Sequence, residues 1–126
     1  DNFRRHFPSK KGLCPENVSK MEIEDIQKRV LEFERKWADV KNVNFDEQLT
    51  LIHLMEELGE LAQQVFYRKA KPEKFNEERV KEEICGVLLT CLCMADRLKM
   101  NIPEELNKKL KELKERYLYK NNHNNI

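Results

Sequence analysis

Apolar residues recur every three or four positions through most of this chain, and little interrupts them. Ile23, Ile26, Val30, Phe33, Trp37 and Val40 follow that spacing. So do Leu51, Leu54, Leu58, Leu61 and Val65, and later Leu106, Leu110, Leu113 and Tyr117. This is the period of one face of an α-helix. Only 3 Gly and 4 Pro occur in 126 residues, so long helices can run unbroken. No segment alternates with period two, and no unit repeats every 20–50 residues. The fold class expected is all-α: an antiparallel bundle of about four main helices.

Local signals set the limits. Ser19 and Glu22 form an S-x-x-E capping box that opens a helix over roughly 20–40, and Asn42 and Asn44 close it. Asp46 can cap a second helix, which runs to about Ala70 because Pro72 disfavours helical geometry before it. Residues 71–76 make a short connection to a third helix over roughly 77–99. Asn101 caps a fourth, with Pro103 tolerated in its first turn. The chain divides into a basic N-terminal arm (1–19), a helical domain (20–119) and an Asn-rich tail (120–126). The second half of the third helix (Ile84, Val87, Leu88, Leu89, Leu92, Met94, Ala95, Leu98) is apolar almost all round, which marks a helix buried on several sides. Such a helix is hard to cover with three partners in so short a chain. A homodimer or homotetramer that completes the core is expected.

Several function classes drop out. With 24 basic against 23 acidic residues the net charge is +1, which argues against binding a nucleic-acid polymer. The longest apolar run, Ile84 to Ala95, is too short to span a membrane. The first twenty residues lack the apolar core of a secretory signal. Cys14, Cys85, Cys91 and Cys93 match no zinc spacing and read as small buried hydrophobes of a reducing compartment, consistent with a cytoplasmic protein.

The chemistry lies in the acids. From Asp46 to Glu60 there are five acidic residues and no Lys or Arg. Glu57 and Glu60 are three apart and share a helix face, and Glu56 can join them. Glu82 and Glu83 open the apolar part of the next helix. An antiparallel hairpin would carry Glu83 towards Glu57 and Glu60. Three carboxylates from two helices make a hard oxygen site suited to Mg²⁺ or Mn²⁺, and a further carboxylate can position or deprotonate an attacking water. The plainer alternative is a solvated acidic helix face. His53, one turn before Glu57, is placed to contact a substrate or to sit as a boundary histidine. Arg68, Lys69, Lys71 and Lys74 cluster around the loop after the second helix, where they either guide a polyanion or simply face solvent.

At these residues the chain resembles the MazG-like all-α nucleoside triphosphate pyrophosphohydrolases, a group that includes dCTP pyrophosphatases and is related to the dimeric dUTPases. Glu56-Glu57-Leu58-Gly59-Glu60-Leu61-Ala62 is similar to their E-E-x-x-E signature. Glu82-Glu83-Ile84-Cys85-Gly86-Val87-Leu88 is similar to the E-x-x-D half that follows. Phe33-Glu34-Arg35-Lys36-Trp37, the run from Ala95 to Pro103, and Lys109 with Arg116-Tyr117 resemble further family stretches in the same order. The resemblance implies a dimeric or tetrameric bundle that hydrolyses a nucleoside triphosphate to monophosphate and pyrophosphate with Mg²⁺. It implies Glu57, Glu60 and Glu83 as metal ligands and Glu56 as an auxiliary carboxylate. It also implies Trp37 near the base and Lys109 and Arg116 near phosphates. Trp37 equally suits a core position. One departure stands out: Gly86 occupies the position of the family's Asp, and neither Cys85 nor Val87 replaces it. Thr90, one turn on, can at best orient water. Either three carboxylates suffice, or activity is reduced or lost. Leu113 is a second departure, where relatives often carry a polar residue near the phosphates.

Overall fold

The computed structural model describes residues 21–119. They form α1 (Ile23–Lys41), α2 (Glu47–Ala70), α3 (Glu77–Arg97) and α4 (Ile102–Lys114). A 3₁₀ turn (Pro72–Lys74) joins α2 to α3, and a π turn (Glu115–Tyr119) follows α4. The all-α expectation holds. The arm, the tail, Ser19 and Cys14 lie outside the described residues.

Helix ends follow their local chemistry. Asp46 accepts a hydrogen bond from the Leu49 amide at 2.8 Å, and the Asn101 side chain accepts one from Glu104 at 3.1 Å. Asn76, unremarked in the sequence reading, caps α3 by accepting from the amides of Glu78 and Arg79. α1 opens without a side-chain cap, at Glu22. It ends with Asn42 in the left-handed region (φ 51°) and a hydrogen bond from the Val43 amide back to Ala38, a geometry that Asn tolerates well. α3 stops short of 99. Lys99 turns left-handed (φ 55°), and the Met100 amide closes on the Ala95 carbonyl at 2.9 Å.

α2 and α3 make the main contact of the fold. They run antiparallel. The Asn76 amide donates to Gln64 near the turn, Gly86 lies against Glu57 midway, and Arg97 reaches Phe45 at the far end. α1 packs on α3, where Gln27 donates to the Leu92 carbonyl at 3.2 Å, and α4 meets α1.

Burial corrects two expectations. The buried residues of α2 are Thr50, Glu57 and Gln64, not its leucines. Leu51 (49% exposed), Leu58 (46%) and Val65 (58%) face outward. α3 is covered by both α2 and α1, with Glu83, Thr90, Cys93 and Ala95 buried, but Ile84 and Leu88 stay exposed. The reason is geometric. Residues 50, 57 and 64 repeat every seven positions and form one narrow seam along a helix that pairs with a single partner. Leu54 and Leu61 flank that seam and are half-buried, whereas Leu51, Leu58 and Val65 lie a further part-turn round the helix, where no element among the described residues buries them. Cys93 is buried, but Cys85 and Cys91 are exposed on the outer side of α3, so burial accounts for one of these three cysteines only. Among the described residues the buried hydrophobes are Cys93, Ala95 and Ile102.

Candidate metal centre and the adjoining cavity

The seam between α2 and α3 is polar from end to end. Thr50 Oγ1 donates to the Asp46 carbonyl at 2.7 Å, and Thr90 Oγ1 donates to the Gly86 carbonyl at 2.8 Å. Both hydroxyls are thus used within their own helices. Gln64 Oε1 accepts from the Asn76 amide at 3.0 Å and closes the hairpin end. Glu57 and Glu83 lie in the middle. Glu57 is 5% exposed and Glu83 is 1% exposed, and both carboxylate oxygens of Glu83 are shut off from solvent.

Glu60 joins them. One carboxylate oxygen from each of Glu57, Glu60 and Glu83 lies within 4.8 Å of the others. The three expected ligands therefore converge, two from successive turns of α2 and one from α3. Their chemistry fits a hard divalent cation: all donors are carboxylate oxygens, with no sulfur or imidazole among them. Two of them are buried, where like charges repel most and a cation offsets most. Glu56 is exposed and is not one of the three converging acids.

Gly86 is not an empty corner. The space a side chain would take there is filled by Glu57. A Cβ built on Gly86 would overlap Oε2 of Glu57 and stand 2.9 Å from its Cδ. Thr90, two turns beyond Glu83 on the same face of α3, is not among the converging oxygens. It lines a neighbouring cavity instead.

That cavity has a volume of about 240 Å³ and is walled mainly by apolar groups. Val30, Phe33, Trp37 and Leu89 supply most of them, and His53 and Cys93 also border it. It adjoins the acids, because His53 is one helical turn from Glu57 along α2. Drug-sized sites run to roughly 300–1,000 Å³, so this cavity suits one ring system of a ligand and not a whole nucleotide. Trp37 stacks on Phe45 with ring centroids 4.7 Å apart and planes 14° apart. His53 tilts against both rings, at 6.2 and 5.5 Å. Trp37 is therefore both a packing residue and a cavity wall.

A second polar group, unpredicted from the sequence, holds this wall. The Arg97 guanidinium donates to the Phe45 carbonyl at 2.7 Å, to the Cys93 carbonyl at 2.9 Å and to Glu34 Oε1. Glu34 borders the cavity. Arg97 and Glu34 side chains are 13% and 21% exposed, so the pair is only partly solvent-screened. Beside it, burial pushes the Cys93 thiol up to about 12 from an ordinary 9.0, and the Glu34 carboxylate adds to the effect.

Lys109 and Arg116 are not brought to this region. Both lie on or just after α4, exposed and in ion pairs with Glu112 at 3.5 and 2.8 Å. Two of the basic residues around the α2–α3 connection pack on rings there: Arg68 lies over the Phe75 ring at 5.7 Å and Lys74 over Tyr67 at 5.8 Å.

Comparison with known proteins agrees with this architecture. The MazG-like family model matches residues 40–125. The Uncharacterized protein YpjD of Bacillus subtilis (strain 168) is 34% identical over 90 residues, covering 69% of this chain and 78% of that protein. The crystal structure of the Bacillus-conserved MazG protein, a nucleotide pyrophosphohydrolase, superposes with a TM-score of 0.62 at 25% identity. That match covers 76% of this chain and 93% of the other.

Proposed function

The chain belongs to the MazG-like family, and we propose that it is a Mg²⁺-dependent pyrophosphohydrolase that converts a nucleoside triphosphate to its monophosphate and pyrophosphate. The observation that carries the reading is the group Glu57, Glu60 and Glu83, partly buried in the helical seam beside a cavity of ring size. The similar solved structure is of a nucleotide pyrophosphohydrolase, and this supports the same reaction class here.

Glu57, Glu60 and Glu83 hold the cation, Mg²⁺ with Mn²⁺ as a substitute. Once bound, it neutralises charge on the phosphate oxygens. Glu56, exposed beside the cluster, orients the attacking water and takes its proton. The water oxygen bonds to phosphorus as the link between the α- and β-phosphates breaks, and pyrophosphate leaves. Trp37 offers a flat ring at the cavity wall, on which a base can stack, and His53 borders the same space. Lys109 and Arg116 are free to approach phosphates only if α4 lies beside another subunit's site. The exposed Leu51, Leu58, Val65, Ile84 and Leu88 support a homodimer or homotetramer that would cover them. Exposed thiols at Cys85 and Cys91 suit a reducing, cytoplasmic setting. No helix among the described residues is long and apolar enough to cross a membrane.

Pyrophosphate release from a panel of ribo- and deoxyribonucleoside triphosphates, with Mg²⁺ or Mn²⁺, tests the proposal. Turnover that persists unchanged in Glu57→Gln and Glu83→Gln would remove the assignment. Gly86 favours a second reading, a catalytically impaired member that binds nucleotides or pairs helices as a scaffold. Mg²⁺-dependent nucleotide binding without hydrolysis would select it.

A further inference from the structure

We propose that Glu34 determines which base the cavity accepts: its carboxylate, pinned by Arg97, takes a hydrogen bond from an exocyclic amino group, so that amino-bearing bases are preferred to their oxo counterparts. The inference rests on the reading of the cavity as the seat of a nucleotide's base. It goes beyond that reading by naming the chemical feature that is recognised.

The cavity is ring-sized and mainly apolar, so the few polar groups on its wall decide which ring edge is welcome. Thr50 and Thr90 both line it. Their hydroxyl protons are spent inside their own helices, on the Asp46 and Gly86 carbonyls. Towards a ligand each hydroxyl is left as an acceptor. Arg29 is exposed, and its guanidinium reaches Met21 Sδ at 3.9 Å. His53 leans on the Trp37 and Phe45 rings. Glu34 is the acid on this wall, and its side chain is only 21% exposed.

Arg97 fixes that acid in place. The guanidinium donates to Glu34 Oε1 and is itself held by the carbonyls of Phe45 and Cys93, at 2.7 and 2.9 Å. A carboxylate offers about four lone-pair sites and no proton. The Cys93 thiol also lies beside it, but a thiol is a weak donor. Acceptor capacity is left for a ligand, at a position set by packing.

An exocyclic amino group supplies the donor that such a wall lacks. Cytosine and adenine carry one. Uracil and hypoxanthine carry a carbonyl oxygen at the same ring position. That oxygen would meet a charged acceptor with no proton between them. A site built to accept a hydrogen bond rejects the ring that cannot donate one, because both groups lose water and gain no partner. The two pairs differ in ring number, so a preference common to both comes from the amino group and not from size.

The experiment measures pyrophosphate release from CTP against UTP and from ATP against ITP, in ribo and deoxy form, for wild type and Glu34→Gln. Wild type is expected to favour the amino member of each pair by at least about tenfold in kcat/KM, the lower end for one charge-assisted hydrogen bond. A glutamine amide can turn either its oxygen or its NH₂ to the ring, so Glu34→Gln is expected to bring both ratios within about threefold. Its Mn²⁺ affinity, measured by calorimetry without nucleotide, is expected to match wild type, because Glu34 is not one of the three converging acids. Should the variant lose Mn²⁺ binding through general damage, the wild-type ratios decide alone. Wild-type ratios near one, or a preference for UTP and ITP, overturn the inference, and so does full discrimination retained in Glu34→Gln. Those results leave the pyrophosphohydrolase reading standing. A wild type that neither binds nor turns over any of these nucleotides removes that reading and the inference with it.

Discussion

Replacing Glu83 by glutamine is expected to make the metal-free protein more stable and the metal-loaded protein less so. Glu83 is 1% exposed and shares a cluster no wider than 4.8 Å with two other carboxylates. At an effective dielectric constant of about 20, two unit charges at that separation repel by roughly 3 kcal/mol. Glu83 takes part in two of the three pairs, so full ionisation would cost about 6–7 kcal/mol in terms that contain Glu83. The molecule need not bear that much. Placing one proton on a glutamate of ordinary pKa at pH 7 costs about 4 kcal/mol, and this caps the penalty. Glutamine keeps the shape, removes one charge and adds two N–H donors aimed among acceptors. A gain of about 1–3 kcal/mol in chelator follows, allowing for relaxation of the neighbours. For a domain of this size that is a rise in Tm of roughly 4–24 °C, at about 4–8 °C per kcal/mol. Adding Mg²⁺ reverses the order. Wild type gains stability by mass action, about 2.7 kcal/mol at a hundredfold excess over Kd, while Glu83→Gln gains little. Thermal unfolding of both proteins, each with chelator and with a Mg²⁺ titration, reads all four corners. A glutamine variant that is less stable in chelator, yet shifts with Mg²⁺ as wild type does, would refute the account of a strained cation site.

Two further outcomes follow from the wall of the cavity. Arg97→Met removes three hydrogen bonds and strips Glu34 of its counter-charge. With both side chains partly exposed, the loss is discounted to about 2–3 kcal/mol, a fall in Tm of roughly 10–20 °C, measured by the same scan. Cys93, buried and with its thiol pushed up to about 12, is expected to resist alkylation at pH 8 while Cys85 and Cys91 of the folded chain react; peptide mass spectrometry separates them. Because the folded thiol holds its proton above the value of an unfolded cysteine, stability contributed by Cys93 is complete below pH 9 and declines as pH rises towards 12. Labelling of Cys93 at the rate of Cys91 would show that the helix packing described is wrong.

How much of this was legible in the sequence depends on how local each feature is. The starts of α2 and α4 were, because Asp46 and Asn101 each act on an amide three residues away; the start of α1 was not, since that helix begins at Ile23 with no side-chain cap. The acidic group was too, since Glu57 and Glu60 are one turn apart and a short connection leaves an antiparallel return as the simplest path for Glu83. Arg97 and Glu34 are separated by 63 positions, and no local pattern joins them. The face of α2 misled for a different reason. A hydrophobic stripe identifies the side that prefers to leave water, and five leucine and valine residues mark it clearly. It does not say that the partner is in the same chain. The buried seam at Thr50, Glu57 and Gln64 is polar, so a search by hydrophobicity gives it no weight, and only its spacing of seven, shared by Glu83 and Thr90 on α3, betrays it.

That inversion explains why Gly86 read as a loss. By resemblance to the family signature, a glycine where an acid is expected removes a ligand. In the folded hairpin the two helices approach so closely along the polar seam that the side chain of one occupies the backbone groove of the other. The number of acids in a motif is then a poor guide to the number of oxygens a site can present. What matters is where each carboxylate lies in the seam, and at this crossing Glu57 on α2 takes up the space that Gly86 on α3 leaves open.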